Sequence, residues 1–127
     1  MYYLSAADVY SINQEVLGRE PIVRDRRLLQ AAVARPFTRM FGQEAYPTLA
    51  EKAAALLHSL AHDHLFADGN KRTAHQAVLR FLRENGVEVR WSADEAYDVI
   101  LDIAKGRYGV PEVARWLRHR TSVASVE

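Results

Sequence analysis

The sequence predicts an all-α fold: a single compact bundle of about six helices, with a short flap or hairpin before the central helix. Three observations predict it. Apolar residues recur at helical spacing along most of the 127 residues. Helix-start and helix-stop residues punctuate the apolar runs. Alternating runs of the strand type are nearly absent. The length suits one domain, placed at residues 1–120, with 121–127 as a frayed C-terminal tail.

Ser5-Ala6-Ala7-Asp8 reads as a capping box, and Val9, Ile12 and Val16 follow on one face until Gly18 stops the helix. Asp25 caps a second helix with Leu28, Leu29, Ala32 and Val33 on one stripe; Pro36 ends it, because the residue before a proline is pushed out of the helical region. No period holds from Phe37 to Pro47, where Gly42 and Pro47 mark a loop or short hairpin. Thr48-Leu49-Ala50-Glu51 is another capping box. Leu49, Ala53, Leu56, Leu57 and Leu60 then form the strongest stripe in the chain, which makes this helix central. The period breaks from His64 to Gly69 and resumes near Asn70 with Ala74, Ala77, Val78, Phe81 and Leu82, ending at Asn85-Gly86. Val87 to Trp91 is briefly extended. Ser92 to Glu95 caps a helix carrying Ala96, Val99, Ile100 and Ile103, and Pro111 opens a last one with Val113, Trp116 and Leu117 inward.

Composition excludes several functions. Lys plus Arg number 17 against 16 Asp plus Glu, so no global field favours nucleic acid, and direct nucleic-acid binding is not expected. The absence of cysteine rules out disulfides, thiolate metal sites and a thiol nucleophile. The start Met1-Tyr2-Tyr3-Leu4 lacks the basic and apolar regions of a signal peptide, and no apolar run approaches membrane length. The expected location is the cytoplasm, without membrane partners.

The chemistry concentrates between His58 and Thr73. A Gly69-Asn70 turn leads straight into a helix whose first N–H groups have no intrahelical partner. The helix dipole adds partial positive charge there, yet Lys71 and Arg72 put two full cations at the same end, which is unfavourable unless an anion binds. A phosphate satisfies all of these features. Asp68 would repel that phosphate unless Mg²⁺ joins them. His64 is the natural proton acceptor at neutral pH, and Phe66 is expected to anchor the loop in the core.

The run His64-Leu65-Phe66-Ala67-Asp68-Gly69-Asn70-Lys71-Arg72 resembles the signature of the Fic/Doc superfamily. The Fic branch has H-P-F-x-[DE]-G-N-G-R-x-x-R and the death-on-curing (Doc) branch H-x-F-x-[DN]-[AG]-N-K-R. Lys71 replaces the second Fic glycine and His75 the second Fic arginine, so the chain is more similar to the Doc branch. Arg35-Pro36, Tyr46-Pro47-Thr48-Leu49, Lys52-Ala53-Ala54, Thr73-Ala74 and the Phe81-Leu82 and Asn85-Gly86 pairs extend the likeness along nearly the whole chain.

The resemblance implies a Doc-type toxin that uses Mg²⁺ and ATP to phosphorylate a protein hydroxyl, a threonine of elongation factor Tu, and so stops translation. It implies His64 as catalytic base, Asp68 as the metal carboxylate, and Arg72 as a catalytic residue that also binds phosphate with Gly69, Asn70 and Lys71. Phe66 is the loop anchor. Phe41, Gly42, Gln43, Glu44, Ala45 and Tyr46 match a flap that aligns the target. The implied partner is an antitoxin with a disordered tail. Two rival readings are AMP transfer, as in the Fic branch, and a metal-dependent hydrolase built on His58, His62, His64 and Asp68, with His62-Asp63 as a histidine–aspartate dyad. Arg24, Arg26 and Arg27, with Arg115, Arg118 and Arg120, read first as solvated faces, and Gln76 shares the face of Arg72.

Overall fold

A computed structural model describes residues 1–123. Six α-helices dominate it: α1 (Ala6–Leu17), α2 (Arg26–Ala34), α3 (Leu49–His62), α4 (Asn70–Glu84), α5 (Ala93–Ala104) and α6 (Val110–Arg118). Two small antiparallel pairs accompany them, β1 (Arg39–Met40) with β2 (Gln43–Glu44) and β3 (Val87–Val89) with β4 (Thr121–Val123). The helical bundle expected from the apolar spacing is the observed architecture, and no helix among the described residues is long and apolar enough to cross a membrane.

Helix α3 is the axis. Ala53, Ala54, Ala55, Leu56, Leu57 and Leu60 are all buried, because α4, α5 and α6 surround it. The small alanines, spread over several faces of α3, let the surrounding helices approach closely, while the leucines fill the remaining space. Helix α4 lies against it through Ala74, Ala77, Val78, Phe81 and Leu82. The caps are where the sequence put them. Ser5 and Ser92 form full capping boxes with Asp8 and Glu95, Asp25 accepts from the amides of Arg27 and Leu28, and Gly18 closes α1 in the left-handed region.

Four local expectations need correction. The tail expected to fray from Thr121 begins instead as β4, whose register sets Thr121 against Val89 and Val123 against Val87; residues 124–127 lie outside the described part. A three-residue strand has too little pattern to read, and its stability comes from a partner strand whose paired residues, such as Val89 for Thr121, are distant in sequence. Leu28, expected inward, is 42% exposed, because α2 is short and turns only Leu29 and Ala32 fully into the core. Helix α2 ends at Ala34, but Pro36 does not push Arg35 out of the helical region: Arg35 keeps φ −52° and ψ −43°, and the chain continues through a tight 3₁₀ turn, Arg35–Phe37. At Thr48 the hydroxyl accepts from the Glu51 amide but donates to the Glu51 carboxylate, so the second half of that box is a side-chain bond.

His75 is buried and accepts a 3.0 Å hydrogen bond from the Trp91 indole at Nε2. Burial, helped by the charge of Arg83, pushes its pKa below the ordinary 6.5. The unfolded chain therefore binds this proton more readily, and stability is lost as pH falls through 6.5 toward the lower folded value. His58, depressed by burial and by Arg35, acts in the same direction. The denaturant midpoint is expected to fall between about pH 7.5 and about pH 5.5, and to fall less in His75→Gln, whose amide oxygen still accepts from Trp91. Equal slopes in the two proteins contradict the assignment.

Candidate active site

The segment between α3 and α4 is fixed from three directions. Leu65 and Phe66 are 1% exposed and belong to the core. The chain between α1 and α2 runs antiparallel to it: the Arg24 amide donates to the Leu65 carbonyl (2.8 Å), and the Ala67 amide to the Ile22 carbonyl (3.0 Å), around a bridge between Val23 and Phe66. Asn70 closes the loop from within. Its Oδ1 accepts from the Phe66 amide (3.0 Å) and its Nδ2 donates to the Phe66 carbonyl (2.8 Å). His64 thus stands exposed at the start of a loop whose backbone has little freedom.

Gly69 shapes the helix start. It has φ +75°, and a Cβ there would meet Leu17 Cδ2 at 3.0 Å and Asn13 Nδ2 at 3.3 Å. Both the left-handed backbone and the close approach of α1 require glycine. Asn13, fully buried, donates to the Asp68 carbonyl and to Thr73 Oγ1, both at 3.0 Å. The first intrahelical bond of α4 runs from the Thr73 amide to the Gly69 carbonyl, and no side chain caps the amides that precede it. Helices α1, α2, α3 and α5 each have a Ser, Asp or Thr for that purpose. Helix α6 also starts at a glycine without a side-chain cap; what sets α4 apart is that Lys71 and Arg72 follow in its first turn, so its open amides suit an external anion.

A cleft of about 550 Å³ opens over this helix start. His64, Asp68, Gly69, Asn70, Lys71 and Arg72 line it, with Arg19, Leu17, Ala61 and Ala104 as further walls. Six of the residues singled out in the sequence are thus brought together. Lys71 and Arg72 are exposed and have no carboxylate partner among the described residues. Asp68 is paired: Arg19 donates to its Oδ2 at 2.8 Å, with both side chains about 60% exposed. In that setting the pair is worth less than about 1 kcal/mol and opens readily. Arg19 engages Oδ2 alone, so this cleft-facing carboxylate fits a divalent cation held jointly with phosphate oxygens.

Other residues lie apart from the cleft. Phe66 is beneath it, in the core. None of Phe41 to Tyr46 lines it. Two residues of this hairpin are fastened instead to Lys52, a buried cation whose Nζ donates to Glu44 Oε1 (2.9 Å) and to the Tyr46 carbonyl. Lys52 also holds the Glu44 carboxyl below the usual range. Tyr46 Oη accepts from Arg35 Nε at 3.2 Å. The hairpin turn places Phe41 at φ +53° and Gly42 at φ +76°, with the Phe41 ring fully exposed. Asn suits that backbone better than Phe. Phe41→Asn is expected to raise the unfolding midpoint by about 3–5 °C, near 1 kcal/mol, in a thermal melt; an unchanged or lower midpoint contradicts strain at the tip.

Sequence reasoning missed Arg19 and Asn13. Asn13 had a signal, a polar residue in the inward stripe of Val9, Ile12 and Val16; Arg19, just past a glycine stop, had none. His58 and His62 stack at 5.4 Å, but Arg35 donates to His58 Nδ1 at 3.0 Å, and no three His, Asp or Glu side chains gather as metal ligands among the described residues.

Comparison with known proteins identifies the family. The family model described as Fic/DOC family matches residues 3–82. The chain is 47% identical over 104 residues to the protein named Toxin Doc from Mycolicibacterium smegmatis, covering 80% of each. It is 32% identical over 121 residues to Protein kinase doc from Escherichia phage P1, covering 93% of this chain and 94% of that protein. Motif, helical frame and these matches together place the chain in the Fic/DOC family, on its Doc branch.

Proposed function

We propose that this chain is the toxin of a toxin–antitoxin pair and a protein kinase, moving the γ-phosphoryl group of ATP to a hydroxyl of a target protein, a threonine of elongation factor Tu, and so arresting translation. The observation that carries the reading is the uncapped start of α4 with two cations that have no carboxylate partner among the described residues, sharing one cleft with His64. The names of the two relatives, a toxin and a protein kinase, support it.

In this reading His64 takes the proton of the target hydroxyl as that oxygen attacks the γ-phosphorus. The bond from the γ-phosphorus to the bridging oxygen breaks, and ADP leaves with that electron pair. The amides at the start of α4, with Lys71 and Arg72, bear the phosphate charge. The Asn70 side chain is held by Phe66, so Asn70 contributes its main-chain N–H. Asp68 would hold Mg²⁺, which neutralises phosphate charge when bound. Asp68→Ala is accordingly expected to lose both activity and Mg²⁺ dependence; unchanged kinetics remove Asp68 from the site.

Kinase chemistry is preferred over AMP transfer because His75, standing where the Fic branch has its second arginine, is buried against Trp91 and cannot grip phosphates. A hydrolase is disfavoured by the Arg35 guanidinium on His58. The proposed partner is an antitoxin whose disordered tail folds onto the toxin in the cytoplasm. The test uses ATP labelled at the γ- or the α-phosphorus, with elongation factor Tu and Mg²⁺. Label from γ alone supports the kinase; label from α means AMP transfer and overturns it.

A further inference from the structure

A groove of about 660 Å³ lies between α3, α6 and the chain leaving the β1–β2 hairpin, and none of its lining residues lines the cleft. Three arginines line it. Arg115 and Arg118 are exposed, sit three residues apart on one face of α6, and have no carboxylate partner among the described residues. Arg35 is held in place: its Nε donates to Tyr46 Oη at 3.2 Å, and its Nη1 to His58 Nδ1 and Ser59 Oγ, both at 3.0 Å. A guanidinium only donates, so His58 Nδ1 accepts, and the neutral ring carries its proton on Nε2 as a further donor. Burial, with the charge of Arg35, depresses the His58 pKa and keeps the ring neutral. The one carboxylate in the lining, Glu51, accepts from the Thr48 hydroxyl at the start of α3.

We propose, on the kinase reading above, that this groove is a docking site for an acidic segment of the target protein, separate from the segment that carries the acceptor hydroxyl. Charge complementarity argues for the acidic character: three guanidinium groups face one carboxylate that is already engaged, and guanidinium forks pair with carboxylates through two parallel bonds. Size argues for a polypeptide. From Glu51 to His58 the groove follows about two turns of α3, about 10 Å, which about three extended residues span. Single-stranded nucleic acid would need open aromatic rings for its bases. The one tyrosine in the lining is instead partnered by Arg35, whose Cζ lies 5.8 Å from the ring centroid and whose Nε holds the hydroxyl. Continuity argues for the target. Ala45 and Tyr46 line the groove and end the stretch that resembles the target-aligning flap, so a chain aligned by the hairpin reaches the arginines. The groove then sets which proteins are phosphorylated, while the cleft sets the chemistry.

The test measures γ-phosphoryl transfer from ATP to elongation factor Tu by the full chain. Arg115→Glu/Arg118→Glu is expected to raise KM for the protein target about tenfold or more, with kcat and KM for ATP within about twofold. Acidic side chains oppose the dipole at the end of α6, so Arg115→Gln/Arg118→Gln is measured too, with a rise of about threefold. A short oligoglutamate should compete with the protein target but not with ATP, and should lose its effect on both variants. The control is Arg24→Glu/Arg26→Glu/Arg27→Glu, which reverses an exposed basic run outside the groove and should leave KM unchanged. An unchanged KM in both α6 variants overturns the docking site. An equal rise in the control also overturns it, because general charge attraction then suffices. So does an oligoglutamate that has no effect on the unmodified chain, or a single-stranded RNA that competes better than oligoglutamate. α6 variants that escape a neutralising antitoxin while KM holds assign the groove to the antitoxin and overturn it as well. Absence of transfer by the unmodified chain overturns the kinase reading itself, and the docking site with it.

Discussion

His64→Ala is expected to lower phosphoryl transfer about 10²–10⁴-fold while the protein stays folded. That range corresponds to about 2.7–5.5 kcal/mol of transition-state stabilisation. The imidazole is exposed and outside the core, so its removal opens no cavity and breaks no packing. ATP affinity should hold, since in the proposed site the phosphates contact the start of α4 and not this side chain. Toxicity on induction should vanish with the transfer rate. A variant that folds, binds ATP and still kills cells at the normal rate contradicts the assignment of a base.

The second large effect is expected at Asn70. Its side chain satisfies both polar groups of Phe66, a residue 1% exposed, and so sets the path of the whole loop. Asn70→Ala leaves a buried N–H and a buried carbonyl without partners, and each such orphan costs about 1–3 kcal/mol. The unfolding free energy should fall by about 2–4 kcal/mol. Activity should fall further than stability alone explains, because His64 and Asp68 ride on the same loop. Asn70→Asp separates the causes. It retains an acceptor for the Phe66 amide but turns a second oxygen on the Phe66 carbonyl, so it should also be destabilised, and its negative charge should weaken ATP binding more than Asn70→Ala does. If denaturant unfolding and transfer rates match the unmodified protein in both variants, the loop is not held in this way.

Much of this was legible from residue order. The stripe from Leu49 to Leu60 placed the central helix, since only a helix surrounded by others tolerates so many buried alanines and leucines. Ser5, Asp25, Thr48 and Ser92 marked helix starts through a hydrogen bond that spans two or three residues, which is information local enough to read. The start at Asn70 stood out because Lys71 and Arg72 put two cations at a helix N-terminus. Long-range partners were not legible. The bond from Asn13 to the Asp68 carbonyl spans 55 residues, and the Arg19–Asp68 pair spans 49. Strand β4 exists because β3 is beside it. Buried Lys52 looks like any helix-surface lysine until Glu44 and Tyr46 fold onto it. The hairpin was legible from Gly42 and Pro47 only as a loop or short hairpin, because its two strands have two residues each, and its expected role as a flap came solely from the likeness to Doc proteins.

The central claim is that the start of α4 receives phosphate next to His64. Amide and imidazole chemical shifts, followed by NMR as Mg²⁺ and ATP are added, test it most directly. The claim predicts that the largest changes fall on the amides of Gly69, Asn70, Lys71 and Arg72 and on the His64 ring, with inorganic tripolyphosphate reproducing the amide changes. Saturating ATP that leaves those signals in place, or moves only residues remote from the cleft, contradicts it.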